Sequence, residues 1–112
     1  MEKNKAMHPL IRLRESDVEA IKTAFRKYFG PNDKLWIFGS RVDLLKRGGD
    51  IDLYVETDMT LLDDVLKKKS RFVGELWDAI GEQKIDVVLH LLSDSKKELI
   101  YKIAREKGVR LA

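Results

Sequence analysis

Two aspartates separated by one residue open a segment of alternating apolar and polar residues, reading DIDLYVE from Asp50 to Glu56. In a β-strand, residues i and i+2 project from the same face, so the carboxylates of Asp50 and Asp52 would lie side by side. Like charges so placed repel each other and favour a cation between them. A hard divalent ion such as Mg²⁺ takes oxygen ligands and often shares them with substrate phosphates, so the pair predicts a Mg²⁺-nucleotide site. The alternative is a solvated strand face shared with Tyr54 and Glu56.

Gly39 and Ser40 follow the apolar run 35–38 and come shortly before Asp50. A glycine at a strand end lets a ligand approach the backbone, and main-chain amides and a serine hydroxyl there can bind an anion. Alone, a Gly-Ser pair is an ordinary turn. Combined with Asp50 and Asp52 it supplies both parts of a phosphate site, one that binds oxygens and one that carries the metal.

Asp86 lies inside the apolar segment 85–91, which reads IDVVLHL. An unpaired buried carboxylate is costly, so this side chain must be exposed, protonated or next to a cation. A third carboxylate on a neighbouring strand would allow two metal ions, one holding phosphates and the other activating the attacking hydroxyl. The alternative is a sheet-edge residue without that role.

The elements that must position these residues follow from the apolar periodicity. Helical spacing predicts helices between Ser16 and Gly30, between Thr60 and Gly81, and up to Gly108. Strands are predicted over 35–38, 51–56 and 85–91, with a brief helix after Ser40. The alternation predicts an α/β (α+β) fold, a small mixed sheet flanked by helices, in which the first two strands pair antiparallel because their connection is short. Three pairs have capping-box spacing, namely Ser16 with Glu19, Thr60 with Asp63, and Ser95 with Glu98.

Composition limits the function classes. The 112 residues, 44% of them hydrophobic, predict a single domain over 1–112 with a flexible tail at 1–9. The absence of cysteine excludes disulfides, thiolate zinc sites and cysteine nucleophiles. No apolar run suits a signal peptide or a membrane span, so we expect a cytoplasmic protein without a membrane partner. A net charge of +3, from 22 basic and 19 acidic residues, suits a phosphate ligand without requiring nucleic acid.

The remaining conspicuous side chains have structural interpretations. The aromatic residues at helical or strand spacing are expected in the core rather than stacked on a base. His90, two residues after Val88 on the face of Asp86, is expected to be packed or hydrogen-bonded rather than to ligate a metal. The basic run Lys67-Lys68-Lys69 is expected to be a solvated helix face.

Gly39-Ser40, nine intervening residues, Asp50-Ile51-Asp52 and the later Asp86 together resemble the signature of the polymerase-beta-like nucleotidyltransferase superfamily. In its small size and in the sequence segments IFGSR and DIDLYV, the chain is most similar to the minimal nucleotidyltransferases (MNT) of that superfamily. These are often encoded beside a HEPN-domain partner. The resemblance spans nearly the whole chain and implies the nucleotidyltransferase core fold.

The resemblance implies transfer of a nucleoside monophosphate, AMP above all, from a Mg²⁺-bound triphosphate such as ATP to an acceptor hydroxyl. By position, Asp50, Asp52 and Asp86 would be the catalytic and metal-binding residues, with two Mg²⁺ ions. Gly39, Ser40 and Arg41 would bind the triphosphate. Relatives often carry Ala-Arg-Gly after Gly-Ser-Arg, and Ser or Thr before the first aspartate. Here Val42-Asp43 and Gly49 stand at those places, which leaves Arg47 as the nearest replacement cation.

The nucleotide site uses most of the polar features of the sequence, so a macromolecular acceptor that brings its own surface is expected. In the family this is often the HEPN toxin, silenced by adenylylation, with the MNT protein as antitoxin. Two alternatives stay open: a non-catalytic antitoxin or scaffold that only binds its partner, and an RNA-directed nucleotidyltransferase. A homo-oligomer also stays open.

Overall fold

A mixed four-stranded sheet forms the centre of the computed structural model, which describes residues 5–94 and 96–112. Its strands are Lys34–Phe38 (β1), Ile51–Thr57 (β2), Ile85–Leu91 (β3) and Val109–Arg110 (β4), in the order β3-β2-β1-β4. The helices are Glu15–Tyr28 (α1), Leu62–Ile80 (α2) and Leu99–Lys107 (α3), with a 3-10 turn at Gly39–Val42. β1 is antiparallel to β2 and β4, and β2 is parallel to β3, so the predicted small mixed sheet flanked by helices is confirmed. None of the helices in the described ranges has the length and apolar character needed to cross a membrane.

Helices cover both faces of the sheet. Successive strand residues point to opposite faces, so each strand contributes side chains to two separate packing layers. Leu35, Ile37 and the β2 residues Leu53 and Val55 join the main core with α1 and α2. The opposite face packs against α3, in a cluster made of Trp36, Phe38, Tyr54, Tyr101 and Ala104. The fold therefore has three layers, with α3 alone on the face that carries Asp52.

The solvated-face alternative for β2 is wrong at Tyr54 and Glu56. Tyr54 is 0% exposed and Glu56 is 7% exposed. α3 packs over them, and Arg105 of α3 forms an ion pair with Glu56 at 3.2 Å. β2 is therefore buried on two faces. One face is apolar, and the other carries the hydrogen-bonded side chains of Tyr54 and Glu56.

The predicted helix caps are wrong where the structure describes them. α1 begins one residue before Ser16, with Arg14 at the N-cap and no side-chain cap. The Glu15 N–H instead donates to the Ala6 carbonyl at 2.7 Å, so the preceding chain satisfies an amide that a cap would otherwise bind. α2 begins after Leu61, also without a side-chain cap. The third pair involves Ser95, which lies outside the described residues.

Two segments near the chain ends join the fold in ways that the sequence pattern did not predict. β4 pairs with β1 through Val109 and Arg110, and the Leu111 N–H donates to the Leu35 carbonyl. In the region predicted as a tail, Met7 forms a bridge with Arg14, and residues 6 and 8 make backbone hydrogen bonds to residues 15 and 13. Residues 6–8 therefore fold back against the start of α1.

Candidate functional site

The central strand β2 places the acidic side chains beside one another. Asp52 is the register partner of Asp86 in β3 on one side and of Phe38 in β1 on the other. Register partners in a sheet project from the same face, so the carboxylates of Asp52 and Asp86 are neighbours. Asp50 immediately precedes β2. The structure thus brings the predicted site residues Asp52 and Asp86 together at the end of the sheet where β1 ends.

The electrostatics of Asp52 reflect this crowding. Burial raises the pKa of Asp52 above its ordinary value, and the nearby charges of Asp86 and Asp50 raise it further. Lys84 acts in the opposite direction on the Asp52 pKa. Asp52 is half-buried and Asp86 is exposed, so the acidic group opens to solvent on the β3 side.

Lys84 is a cation of the site that the sequence analysis missed. Its Nζ lies 3.4 Å from Oδ2 of Asp50, and the two side chains are 69% and 45% exposed. An ion pair this exposed contributes at most about 1 kcal/mol to stability, so its ammonium group can leave the carboxylate readily. One sign of this role was present in the sequence, since Lys84 directly precedes the predicted strand 85–91 and lies two residues before Asp86.

The donor chemistry of the acidic group suits a hard cation such as Mg²⁺, because all its ligands would be carboxylate oxygens. Burial and, after it, repulsion from Asp86 and Asp50 raise the pKa of Asp52, and both effects favour a cation beside this carboxylate. Within residues 5–94 and 96–112, however, no three or more histidine, aspartate or glutamate side chains already form a group that could hold a metal ion. Coordination by Asp50, Asp52 and Asp86 together would therefore require side-chain rotation, which the exposure of Asp50 and Asp86 allows.

Gly39 lies directly against the carboxylate of Asp52. Its φ of 75° belongs to the left-handed region, and a Cβ at this position would overlap Oδ2 of Asp52. Ser40 adds a second link, since its Oγ donates to the Asp50 carbonyl at 3.4 Å. Gly49 in turn packs on Ser40, where a Cβ would overlap the hydroxyl. The Gly-Ser turn and the aspartates therefore form one continuous site.

Arg41 points its guanidinium group at two main-chain carbonyls, one in the segment before α1 and one in the loop that follows Arg41. Nη1 donates to the carbonyl of Arg12 at 2.9 Å and Nη2 to that of Gly49 at 3.0 Å, while Nε is buried without a partner. Arg47, the suggested replacement cation, is exposed. In this arrangement Arg41 holds the loop 39–49 rather than facing open solvent.

Arg12 holds the same loop and was missed by the sequence analysis. Its Nε donates to the Asp43 carbonyl at 2.9 Å, and Nη2 donates to the carbonyls of Ser40 and Gly48, both at 2.7 Å. Arg12 stands between the buried residues Ile11 and Leu13, and a guanidinium so placed needs acceptors nearby. The sequence signal was therefore an arginine inside an apolar segment, with no indication of its distant partners.

We predict that Arg12→Lys lowers the free energy of unfolding by about 2 kcal/mol, because an ammonium group cannot reach three carbonyls arranged around a planar fork. Urea denaturation measures this loss. Arg26→Lys, on the exposed side of α1, is the matched control and should leave the unfolding midpoint unchanged. Equal stability of the two variants would contradict the anchoring role of Arg12.

A second polar group lies further along the same sheet face. Tyr54 Oη donates to Oε2 of Glu56 at 2.7 Å and lies 2.7 Å from Nδ1 of His90, while Arg105 bonds to both Tyr54 and Glu56 at 3.2 Å. The His90 ring stacks on Tyr101 with a centroid distance of 4.0 Å. Burial and the adjacent Glu56 raise the pKa of Tyr54, so its phenol stays protonated. The prediction that His90 is packed and hydrogen-bonded is confirmed.

No protein-family model matches this chain, and no curated protein matches it. The chemistry must therefore be inferred from the site itself. Carboxylates at one end of the sheet could hold a divalent cation, and the adjacent turn has an exposed glycine, Gly39, and a hydroxyl, Ser40, that could meet an anionic group. This combination suits a ligand that carries phosphates together with a metal ion.

Proposed function

We propose that this chain is a Mg²⁺-dependent nucleotidyltransferase of the minimal (MNT) kind. It transfers a nucleoside monophosphate, with ATP as the expected donor, to a hydroxyl group of a macromolecular acceptor. The observation that carries the proposal is the packing of Gly39 against Asp52, whose register partner is Asp86. This contact joins the exposed glycine turn to a pair of carboxylates, and the order of these residues in the sequence resembles that of the superfamily.

Each residue has a distinct role in the proposal. Asp50, Asp52 and Asp86 would hold Mg²⁺, which when bound would neutralise phosphate charge. Gly39 leaves its backbone open to the triphosphate, and the hydroxyl of Ser40, held only by a 3.4 Å hydrogen bond, can turn to donate to a phosphate oxygen. Arg41 would have to exchange its carbonyl partners to contact phosphate directly.

The proposed reaction forms one bond and breaks another at the α-phosphorus. The acceptor oxygen bonds to phosphorus as the bond to the β-phosphate oxygen breaks, and pyrophosphate leaves with that electron pair. The acceptor's proton passes to a carboxylate, for which Asp86 is the best placed because it is exposed at the site.

The exposure of the site supports an acceptor that arrives from outside. Asp86 and Gly39 are both exposed, whereas the β1 and β2 side chains further along the sheet are buried against the helices. We propose a protein acceptor, the HEPN-domain toxin expected from the resemblance, with this chain as its antitoxin in the cytoplasm. Nucleic acid is not required in this scheme.

Incubation of the chain with ATP, Mg²⁺ and the protein encoded by the adjacent reading frame, which the proposal expects to be a HEPN-domain protein, tests the proposal. Intact-mass measurement should find the partner heavier by whole AMP units, and the Asp50→Ala variant should leave it unmodified. Parallel reactions with the other triphosphates give the base preference. An unmodified partner that is nonetheless silenced would favour the scaffold alternative, and labelling of RNA instead would favour the RNA-directed one.

A further inference from the structure

β3 forms an open edge of the sheet, since β2 is its sole partner strand among residues 5–94 and 96–112. Two hydrogen bonds identify the backbone groups that face outward. The Ile51 N–H donates to the Lys84 carbonyl at 3.1 Å, and the Leu92 N–H donates to the Thr57 carbonyl at 2.9 Å. Lys84 and Leu92 thus point backbone groups toward β2. Because this direction alternates along a strand, the N–H and C=O groups of the even-numbered residues in β3 face β2, and those of the odd-numbered residues face outward. The outward-facing residues are Ile85, Val87, Leu89 and Leu91.

Apart from the exposed carboxylate of Asp86, this edge lacks the features that normally prevent pairing with another chain. Edge strands are commonly protected by lysine, proline or a bulge, whereas β3 reads IDVVLHL and pairs with β2 without interruption over all seven residues. The Leu91 carbonyl already accepts the Asp94 N–H, but its own N–H still faces outward. β3 therefore offers a nearly complete row of hydrogen-bonding groups.

A largely apolar row of α2, interrupted by Lys69, lies on the β3 side of the helix. Glu75 bonds to Lys27, which fixes the side of α2 that faces α1. Going around the helix from Glu75, the fully buried core positions come first and a further apolar row follows, on the side away from α1. Trp77 bonds to the Gln83 carbonyl at 3.0 Å, beside the start of β3. The exposed members of this row are Leu62 (54%), Leu66 (43%) and Trp77 (43%).

We propose that a second copy of this chain pairs antiparallel with β3, with the two-fold axis at Val88, so that one sheet continues across both copies. When two β3 strands pair antiparallel, only residues whose N–H and C=O groups face outward can form the hydrogen-bonded pairs. The register centred on Val88 joins all four, with Ile85 opposite the second copy's Leu91 and Val87 opposite the second copy's Leu89. A register centred on Val87 or Leu89 joins fewer.

The same register also places polar side chains opposite each other. On the α3 side of the sheet it sets Asp86 opposite the second copy's His90, in a pair whose Cα atoms are about 4.5 Å apart. Centring on Val87 would set Asp86 against a valine, and centring on Leu89 against a leucine. The second copy thus adds an imidazole beside the outermost carboxylate of the site.

The helices fit the same arrangement. α2 runs along the β3 side of the sheet, with Leu62 near Leu89 and Leu91 and Trp77 near Gln83, so the pairing brings α2 beside its copy. The two-fold axis brings Leu62 and Leu66, near one end of β3, toward the second copy's Trp77, near the other end. Apolar surface left exposed in one copy is thereby covered by the other. The proposal does not depend on the transferase activity.

Sedimentation equilibrium of the intact chain, without nucleotide or partner, tests the assembly. A dimer has twice the chain mass of 13.0 kDa. The doubly substituted Leu62→Lys/Leu66→Lys variant should sediment at the chain mass with an unchanged circular dichroism spectrum. Leu44→Lys/Leu45→Lys makes the same chemical change at positions that are 56% and 96% exposed elsewhere, and should leave the dimer intact. A wild-type chain that stays at 13.0 kDa at millimolar concentration overturns the proposal.

A single cysteine tests the register. The chain has no cysteine, so Val88→Cys introduces a unique thiol. Across the two-fold axis the two Cα atoms would be about 4.5 Å apart, within the range of a disulfide, and mild oxidation should crosslink the dimer. Thr23→Cys, exposed on α1, controls for chance collisions and should stay uncrosslinked. A dimer that crosslinks through Val87→Cys but not through Val88→Cys overturns the register.

Discussion

Asp52→Asn should reduce nucleotide transfer by at least about a hundredfold, since even residues one step removed from a bound metal typically cost tenfold to a hundredfold when replaced. The asparagine keeps the shape of the side chain but loses the negative charge that would hold Mg²⁺. Initial rates of AMP incorporation at saturating ATP measure the effect. Undiminished transfer by Asp52→Asn would remove the carboxylate pair from the chemistry.

The same substitution should stabilise the fold in the absence of divalent ions. Burial, together with Asp86 and Asp50, raises the folded-state pKa of Asp52 above its ordinary value of 3.8, so the folded protein carries the ionised group at a cost. That cost is absent below pH 3.8, where both states are protonated, and develops fully once the pH rises past the folded-state pKa. The unfolding free energy of Asp52→Asn should therefore exceed that of the wild type at neutral pH, and the gap should close on acidification.

Urea denaturation at a series of pH values, with a chelator present, follows this gap. Asp78→Asn, exposed on α2, is the control and should track the wild type. A variant that is more stable yet inactive would indicate a residue whose charge serves function at the expense of the fold. A variant less stable than the wild type at neutral pH would contradict the assigned origin of the pKa shift.

Gly39→Ala should abolish transfer, while Gly48→Ala should not. Both glycines have positive φ values, 75° and 60°, so alanine at either costs about 1 to 2 kcal/mol in backbone strain. Only at Gly39 would the added Cβ overlap the Asp52 carboxylate, whereas at Gly48 nothing lies within 4 Å. Displacing a catalytic carboxylate by about 1 Å can cost a hundredfold in rate.

Comparing Gly39→Ala with Gly48→Ala thus separates the effect of backbone strain from the effect of displacing the Asp52 carboxylate. Urea denaturation should show both variants destabilised, Gly39→Ala more so, and AMP incorporation should be lost in Gly39→Ala alone. Equal activity in the two variants would mean that the contact between Gly39 and Asp52 has no catalytic consequence.

The longer helices and strands could be predicted from the sequence because their buried residues recur with the period of each element. α2 ends before Gly81 and β3 occupies 85–91 as predicted, whereas α2 begins one residue later than a cap at Thr60 predicts. β1 and β2 differ from the prediction by one residue each. β4 has two residues, too few for any period to appear. The start of α1 was missed for a different reason, because its first amide is satisfied by the Ala6 carbonyl, which no local capping pattern encodes.

The site was predictable to the extent that its residues violate local preferences. Aspartate is unfavourable in strands, so Asp52 and Asp86 stood out in otherwise apolar segments. Arg12 and Lys84 gave weaker signals from their positions, because arginines and lysines are abundant in a chain with 22 basic residues. Arg12 acquires its role through carbonyls 28 to 36 residues away, which only the folded chain brings near.

The two parts of the site differ in how firmly the fold holds them. β2 is hydrogen-bonded on both sides, by β1 and β3, so its amides exchange with solvent only when the sheet itself opens. Residues 44–49, by contrast, are exposed, and the loop that contains them is held chiefly by the guanidinium groups of Arg12 and Arg41. Local opening of this loop, without global unfolding, can therefore admit a ligand to the glycine turn while the carboxylate of Asp52 keeps its place on a rigid strand.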